Sequence, residues 1–290
     1  MIRLLTIAAL ALGPALPALA ADTAEGETLA KDQSYTFRLP EAIRTLDPQK
    51  NADPQGAEVI RQLFEGLMNE DATGGMIPGV AESHTESDDG LTHTFTLRDA
   101  KWSNGDPVTA GDFVYAWQRA VNPETASEYA WFLELMNIRN ATQIIAGEMT
   151  PDQLGVRAVD DKTLEVTLTT RTPYFLKTLS HATTFPVPQK VVEQHGDAWT
   201  QPGNLVGNGA FMLESHNLGV DITMVKNPNY WDAENVVMET VRGVTVNDNN
   251  IGLTRYLAGE LDRVQIPAGQ YPRLSQEYPD QAISIPYSCS

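Results

Sequence analysis

Five histidines, one cysteine and a large surplus of carboxylates are the residues of this chain that could do chemistry. His84, His93, His181, His195 and His216 fall into no H-E-x-x-H, C-x-x-C or H-x-H arrangement, so no metal ligand set can be read from them. Cys289 stands one residue from the end, and no G-x-S-x-G elbow occurs, which leaves no positioned nucleophile. Neither G-x-x-x-x-G-K-S/T nor G-x-G-x-x-G is present to cradle a phosphate. The acid pairs Asp88-Asp89 and Asp160-Asp161 stand in turn-like surroundings, where carboxylates bond their own backbone and face water. The expectation is a protein that is not an enzyme and holds no cofactor or metal. A secreted hydrolase stays open as an alternative, because folding can gather carboxylates that lie far apart in sequence.

The bulk properties narrow the surroundings. Arg3, the apolar run Leu4–Leu12 and the small residues Ala18-Leu19-Ala20 have the pattern of a secretory leader cut after Ala20, and the run is too short to span a bilayer. The expected location is the periplasm. The formal charge is −18, and loss of Arg3 with the leader leaves 38 acidic residues against 19 basic ones. Such a balance repels nucleic acid and anionic membrane surfaces. One cysteine allows no internal disulfide, so stability rests on the core, for which 42% hydrophobic residues suffice.

The elements that would position any site alternate irregularly between helix and strand, which predicts a mixed α/β class. Asp53-Pro54 opens a helix, followed at helical spacing by Val59, Ile60, Leu63, Phe64, Leu67 and Met68. Residues 92–97 alternate as a strand, Ser103–Asp106 make a turn, and Thr109–Asp112 form a capping box. The helix that follows carries Phe113, Val114, Trp117, Ala120 and Val121 on one stripe, so Trp117 reads as packing and not as a ligand box. A hairpin is expected over residues 156–168. Strands are expected after Gly209, over 222–225 and over 241–248, then a helix over 250–258 closed by Gly259. Residues 283–290, "ISIPYSCS", read as extended.

Several motifs occur in a fixed order over nearly the whole chain: "LDP" (46–48), "LFEGLM" (63–68), "PGVAES" (78–83), "KWSNGDPVTAGDFVYAWQR" (101–119), "NPETASEYA" (122–130), "QPGN" (201–204), "NPNYW" (227–231) and "TRYLAGELD" (254–262). Together they resemble the periplasmic oligopeptide-binding proteins of ABC importers, within the peptide/nickel solute-binding family. The resemblance implies a two-lobed α/β clamp of the periplasmic binding protein type with an extra N-terminal domain, here lacking most of its C-terminal lobe. It places a discontinuous first lobe at 21–46 and 172–275, the extra domain at 47–171, and the start of a second lobe at 276–290. The implied partners are an oligopeptide ligand and an inner-membrane ABC permease, with the binding protein a monomer. A murein-peptide receptor of the same family and a non-functional truncated product are the other readings.

By the same resemblance, Tyr129 matches a tyrosine at the cleft edge, with packing under a loop as its bland alternative. Ala52, Asp53 and Pro54 match the segment that meets the peptide from the extra domain. Ala52 stands where the oligopeptide binders carry an acid. Asp53 could take that role or cap its own helix, and the cap is the favoured reading.

Overall fold

The computed structural model describes residues 28–71 and 73–283. The expected leader and everything beyond residue 283 lie outside the described residues. Ten strands, β1 Ser34–Leu39, β2 Met68–Glu70, β3 Met76–Pro78, β4 Ala81–Glu86, β5 Thr92–Leu97, β6 Val156–Asp160, β7 Thr163–Thr167, β8 Phe211–Asn217, β9 Asp221–Lys226 and β10 Thr240–Thr245, form three sheets. One four-stranded sheet has the order β1-β10-β9-β8, with β1 and β10 parallel and the other pairs antiparallel. A second, wholly antiparallel, has the order β4-β5-β7-β6, and β2 pairs with β3. Eight α-helices, with short 3-10 turns between them, lie among the described residues: α1 Pro54–Leu63, α2 Ala110–Val121, α3 Ala130–Leu135, α4 Ala141–Ile145, α5 Phe175–Thr178, α6 Gln189–His195, α7 Asn249–Leu257 and α8 Tyr271–Glu277.

Local signals explain where these begin and end. Asp53 caps α1, its Oδ1 accepting from the Gly56 N–H at 2.6 Å, with Pro54 at the first helical position. At α2 the Asp112 carboxylate reaches back to the Thr109 N–H at 2.8 Å, as the capping box requires. The hairpin of β6 and β7 turns at Asp161-Lys162, and Gly259 follows α7 in the left-handed region. Both acid pairs sit in turns: Asp89 accepts from Leu91 N–H and Asp160 from Lys162 N–H.

Three expectations need correction. The helix opened by Asp53 stops at Leu63, and Phe64 is extended. The apolar spacing continues, but Asn208 bonds both backbone groups of Glu65, donating to its C=O at 2.9 Å and accepting from its N–H at 3.0 Å. That tertiary pairing replaces the helical bonds. The strand expected over 241–248 ends at Thr245, because Arg38 crosses beneath and takes the Val246 and Asn247 carbonyls. The start of a second lobe that the resemblance implies at 276–290 falls within a helix end: residues 276 and 277 close α8 and 278–281 form bends and turns.

One apolar core runs through both four-stranded sheets. It joins Phe37, Leu39 and Met224 of the first to Phe95, Leu164 and Val166 of the second, through Ile60 and Leu63 of α1 and Phe113 and Trp117 of α2. Trp102 and Trp117 are almost wholly buried, so both are scaffold. Each such side chain contributes roughly 1.5–3 kcal/mol through removal from water. No helix among the described residues is long and apolar enough to cross a membrane.

Candidate functional site

The segment 52–54 is held from below by a buried polar staple. Asp47 of "LDP" accepts from Arg119 of α2 through both oxygens, at 2.7 and 2.5 Å, and from the Trp199 indole at 3.1 Å. Arg119 also donates to the Gln49 amide oxygen, and Gln49 donates to the Phe185 carbonyl at 3.0 Å. Trp117 reaches the Thr184 carbonyl at 2.8 Å. The loop 45–51, the C-terminal half of α2 and the turn 181–185 are thereby locked together. Charge-assisted, bidentate bonds are the strong ones, and in this buried setting they fix geometry as well as energy.

What this staple presents is a short extended backbone. Asp53 has φ −111° and ψ 144°, and neither the N–H nor the C=O of Ala52 carries a hydrogen bond among the described residues. Asp53 is occupied on one side: Oδ1 caps α1, and Oδ2 is withdrawn from solvent with no partner among the described residues. The cap reading of Asp53 therefore holds. Pro54 is exposed at the first turn.

Tyr129 lies elsewhere, immediately before α3. Its ring stands 5.0 Å from His181 and 5.6 Å from Trp131, and His181 in turn stacks on Phe132 at 4.3 Å. No hydrogen bond or ring contact joins Tyr129 to residues 52–54 among the described residues. His181 was passed over in sequence as one of five scattered histidines. Burial, and then the nearby Arg61 cation, push its pKa down to about 4, so the ring is neutral at physiological pH. Its proximity to Tyr129 could not be read from residues 52 positions apart.

A second buried polar centre ties the remaining motifs. Glu65 of "LFEGLM" accepts from the Tyr230 hydroxyl and the Trp231 indole of "NPNYW", each at 2.6 Å, and from Asn69 at 2.7 Å. Arg98 lies 3.5 Å over the Trp231 ring. Burial raises the Glu65 pKa against these donors, and drives that of Tyr230 far upward. His84 and His93 pair at 2.9 Å between Nε2 and Nδ1, and His93 is buried. No group of three or more His, Cys, Asp or Glu that could hold a metal occurs among the described residues.

Two recesses open on the surface. One, of about 490 Å³, is lined by Lys50, Tyr115, Arg119, Asn122 and Val192. The other, of about 400 Å³, lies between α1 and the first sheet and is lined by Tyr35, Phe37, Glu58, Phe211 and Arg263. Neither includes Tyr129 or residues 52–54.

The family of bacterial extracellular solute-binding proteins, family 5 (middle region), matches residues 75–288. The chain belongs to this family. The periplasmic oligopeptide-binding protein OppA of Escherichia coli is 42% identical over 276 residues, covering 94% of this chain and 51% of OppA. The probable deoxycholate-binding periplasmic protein YgiS of the same organism is 41% identical over 273 residues, covering 94% of this chain and 51% of YgiS. The solved structure of the E. coli murein tripeptide-binding protein MppA superposes with a TM-score of 0.84 at 42% identity, over 87% of this chain and 50% of that one. The fold is thus the mixed α/β arrangement of periplasmic binding proteins, and the chain spans about half the length of these relatives. They are solute receptors of the periplasm.

Proposed function

We propose that this protein binds oligopeptides as the solute-binding component of an ABC importer, delivering them to an inner-membrane permease without changing a bond in them. The observation that carries the reading is the unpartnered N–H and C=O of Ala52, beside the extended Asp53 and after the loop that the Asp47–Arg119 pair anchors. A peptide offers repeating N–H and C=O groups, and such an edge accepts them as an added strand, largely independent of side chains. Ala52 supplies that edge; the Asp53 carbonyl is taken by the Asn51 amide and the Ala57 N–H, and Pro54, with no N–H, offers its exposed ring beside it. Asp53 acts as the cap that shapes it, and Tyr129 supplies an aromatic wall.

In this reading residues 1–20 are a leader removed after Ala20, and the mature protein acts in the periplasm as a monomer. Residues 21–46 and 172–275 form one lobe, 47–171 an added domain, and 276–290 lead toward a second lobe. Strand membership of the two four-stranded sheets supports this division. N-terminal sequencing of the secreted protein should begin at Ala21.

Calorimetry with tri- to pentapeptides tests the main reading. Saturable binding, weakened about tenfold by Tyr129→Ala, is expected, each immobilised aromatic contact being worth roughly 1–2 kcal/mol. Binding of deoxycholate with no peptide binding, or cleavage of the peptide, would overturn it. The murein-peptide reading is favoured by the MppA likeness. Competition between murein tripeptide and an ordinary tripeptide separates the two.

A further inference from the structure

The recess between α1 and the first sheet has the composition of a small-molecule site that the peptide reading leaves unused. Its floor is apolar, with Phe37, Phe211 and Val241 of the sheet almost wholly buried. Tyr35 stacks beside Phe37 at 6.2 Å. The Tyr35 hydroxyl and the Gln62 side-chain amide of α1 also line the recess, and neither bonds a protein group among the described residues. On one wall Glu58 of α1 pairs with Arg263, whose guanidinium lies 5.2 Å from the centre of the Phe37 ring. The hydrogen bond between them runs from Arg263 Nη2 to Glu58 Oε1. Glu58 Oε2 and the Nε and Nη1 of Arg263 bond no other protein group among the described residues, and the two side chains stay 29% and 46% exposed. A hollow of about 400 Å³ with an apolar floor and a few unspent polar groups has the size and lining of a ligand pocket.

We propose that this recess binds a free α-amino acid with an apolar or aromatic side chain, its carboxylate on Arg263, its ammonium on Glu58 and its side chain over Phe37. The paired charges choose the class. A simple carboxylic acid gains Arg263 but is repelled by Glu58, and a simple amine meets the reverse, whereas an amino acid carries both charges on one carbon and answers both. In a peptide the same two charges stand at opposite ends of the molecule, too far apart for one adjacent pair. The site is therefore separate from the edge at Ala52 and does not depend on the peptide-binding reading. An aromatic ligand ring packing on the Phe37 and Phe211 floor adds offset or edge-to-face contacts to the area it buries.

Calorimetric titration of the purified protein with L-phenylalanine, phenylalanine amide and N-acetylphenylalanine tests the proposal. Phenylalanine should bind saturably with a Kd below about 1 mM. The amide lacks the carboxylate and the N-acetyl compound lacks the ammonium, so each should bind at least about tenfold more weakly, the effect of one charge-assisted contact. Glu58→Gln should weaken phenylalanine about tenfold and leave the N-acetyl compound no weaker, and Arg263→Gln should do the same with the amide as the spared ligand. Met238→Trp, which adds bulk at the exposed member of the lining, should weaken all three ligands with Tm unchanged. Tripeptide affinity should not move when phenylalanine is saturating. No saturation by phenylalanine up to about 10 mM, or an equal loss for all three ligands in Glu58→Gln, overturns the proposal and leaves peptide binding untouched. Displacement of phenylalanine by a tripeptide overturns it as a separate site.

Discussion

Replacement of Arg119 by leucine is the sharpest test of the staple beneath the binding edge. The side chains of Asp47 and Arg119 are only 5% and 12% exposed, so neither can turn to water when its partner goes. The variant leaves a buried carboxylate that keeps two neutral donors, the Trp199 indole and the Gln49 N–H, both at 3.1 Å. Removing one member of a buried ion pair costs about 3–5 kcal/mol, and the two surviving donors place this case near 3 kcal/mol. At a few degrees per kcal/mol for a domain of this size, Tm should fall by roughly 6–12 °C.

The double variant Asp47→Asn/Arg119→Leu makes the argument specific. An amide replaces the stranded charge, so the double variant should be more stable than Arg119→Leu alone, with a coupling of about 1.5–3 kcal/mol. Urea unfolding followed by the fluorescence of Trp117 and Trp199, which pack on either side of the staple, reads both values. A loss below about 1 kcal/mol in the single variant, or strict additivity in the double, would show that the pair contributes neither energy nor geometry.

Two further outcomes follow from the structure. His181 titrates near 4 in the folded chain against an ordinary 6.5, so the unfolded chain takes up a proton that the folded one refuses. Stability should therefore be full above about pH 6.5 and fall as pH drops through 4. His84 and His93, also lowered by burial, add to the loss, whereas Glu65, raised by burial, acts in the opposite sense. His181→Phe should flatten the acid limb by on the order of 2 kcal/mol, after allowance for the ring's partial exposure, and an unchanged limb would refute the assignment. Gly209→Ala would drive a Cβ to 2.5 Å from the Gln62 carbonyl and 2.6 Å from the Phe64 nitrogen. Backbone cannot yield cheaply there, so a loss of at least about 2 kcal/mol is expected in urea unfolding, and a neutral result would mean that the α1–β8 junction is soft.

Elements whose signals are local were legible in the sequence. The caps of α1 and α2, the β6–β7 hairpin and the Gly259 terminus each depend on residues within a few positions, and each was read correctly. Where tertiary bonds override local preference the reading failed. Asn208, 143 positions away, pulls Glu65 out of a helix that its neighbours' spacing would continue. β1 was missed because its partner, β10, comes 206 residues later, Ser34 pairing with Thr240. The stacking of Tyr129 and Phe132 about His181 is likewise a product of packing between distant segments, and no spacing rule would have joined them.

The distribution of the motifs explains why the family was easier to read than the ligand. "LDP", "WQR" and the Trp199 run meet at Asp47, and "LFEGLM", "GNG" and "NPNYW" meet at Glu65 and Asn208. These residues are buried and spent on one another, so this chain needs them to fold whatever it carries. Among the residues proposed to meet ligand, Ala52 would act through its backbone, which any residue supplies, and Tyr129 through a single side chain. Relatives near 42% identity accordingly include proteins named for oligopeptides, for a murein tripeptide and for deoxycholate. Identity across the scaffold therefore bears on the fold, and selectivity must be sought in the few partially exposed positions that the staples hold in place.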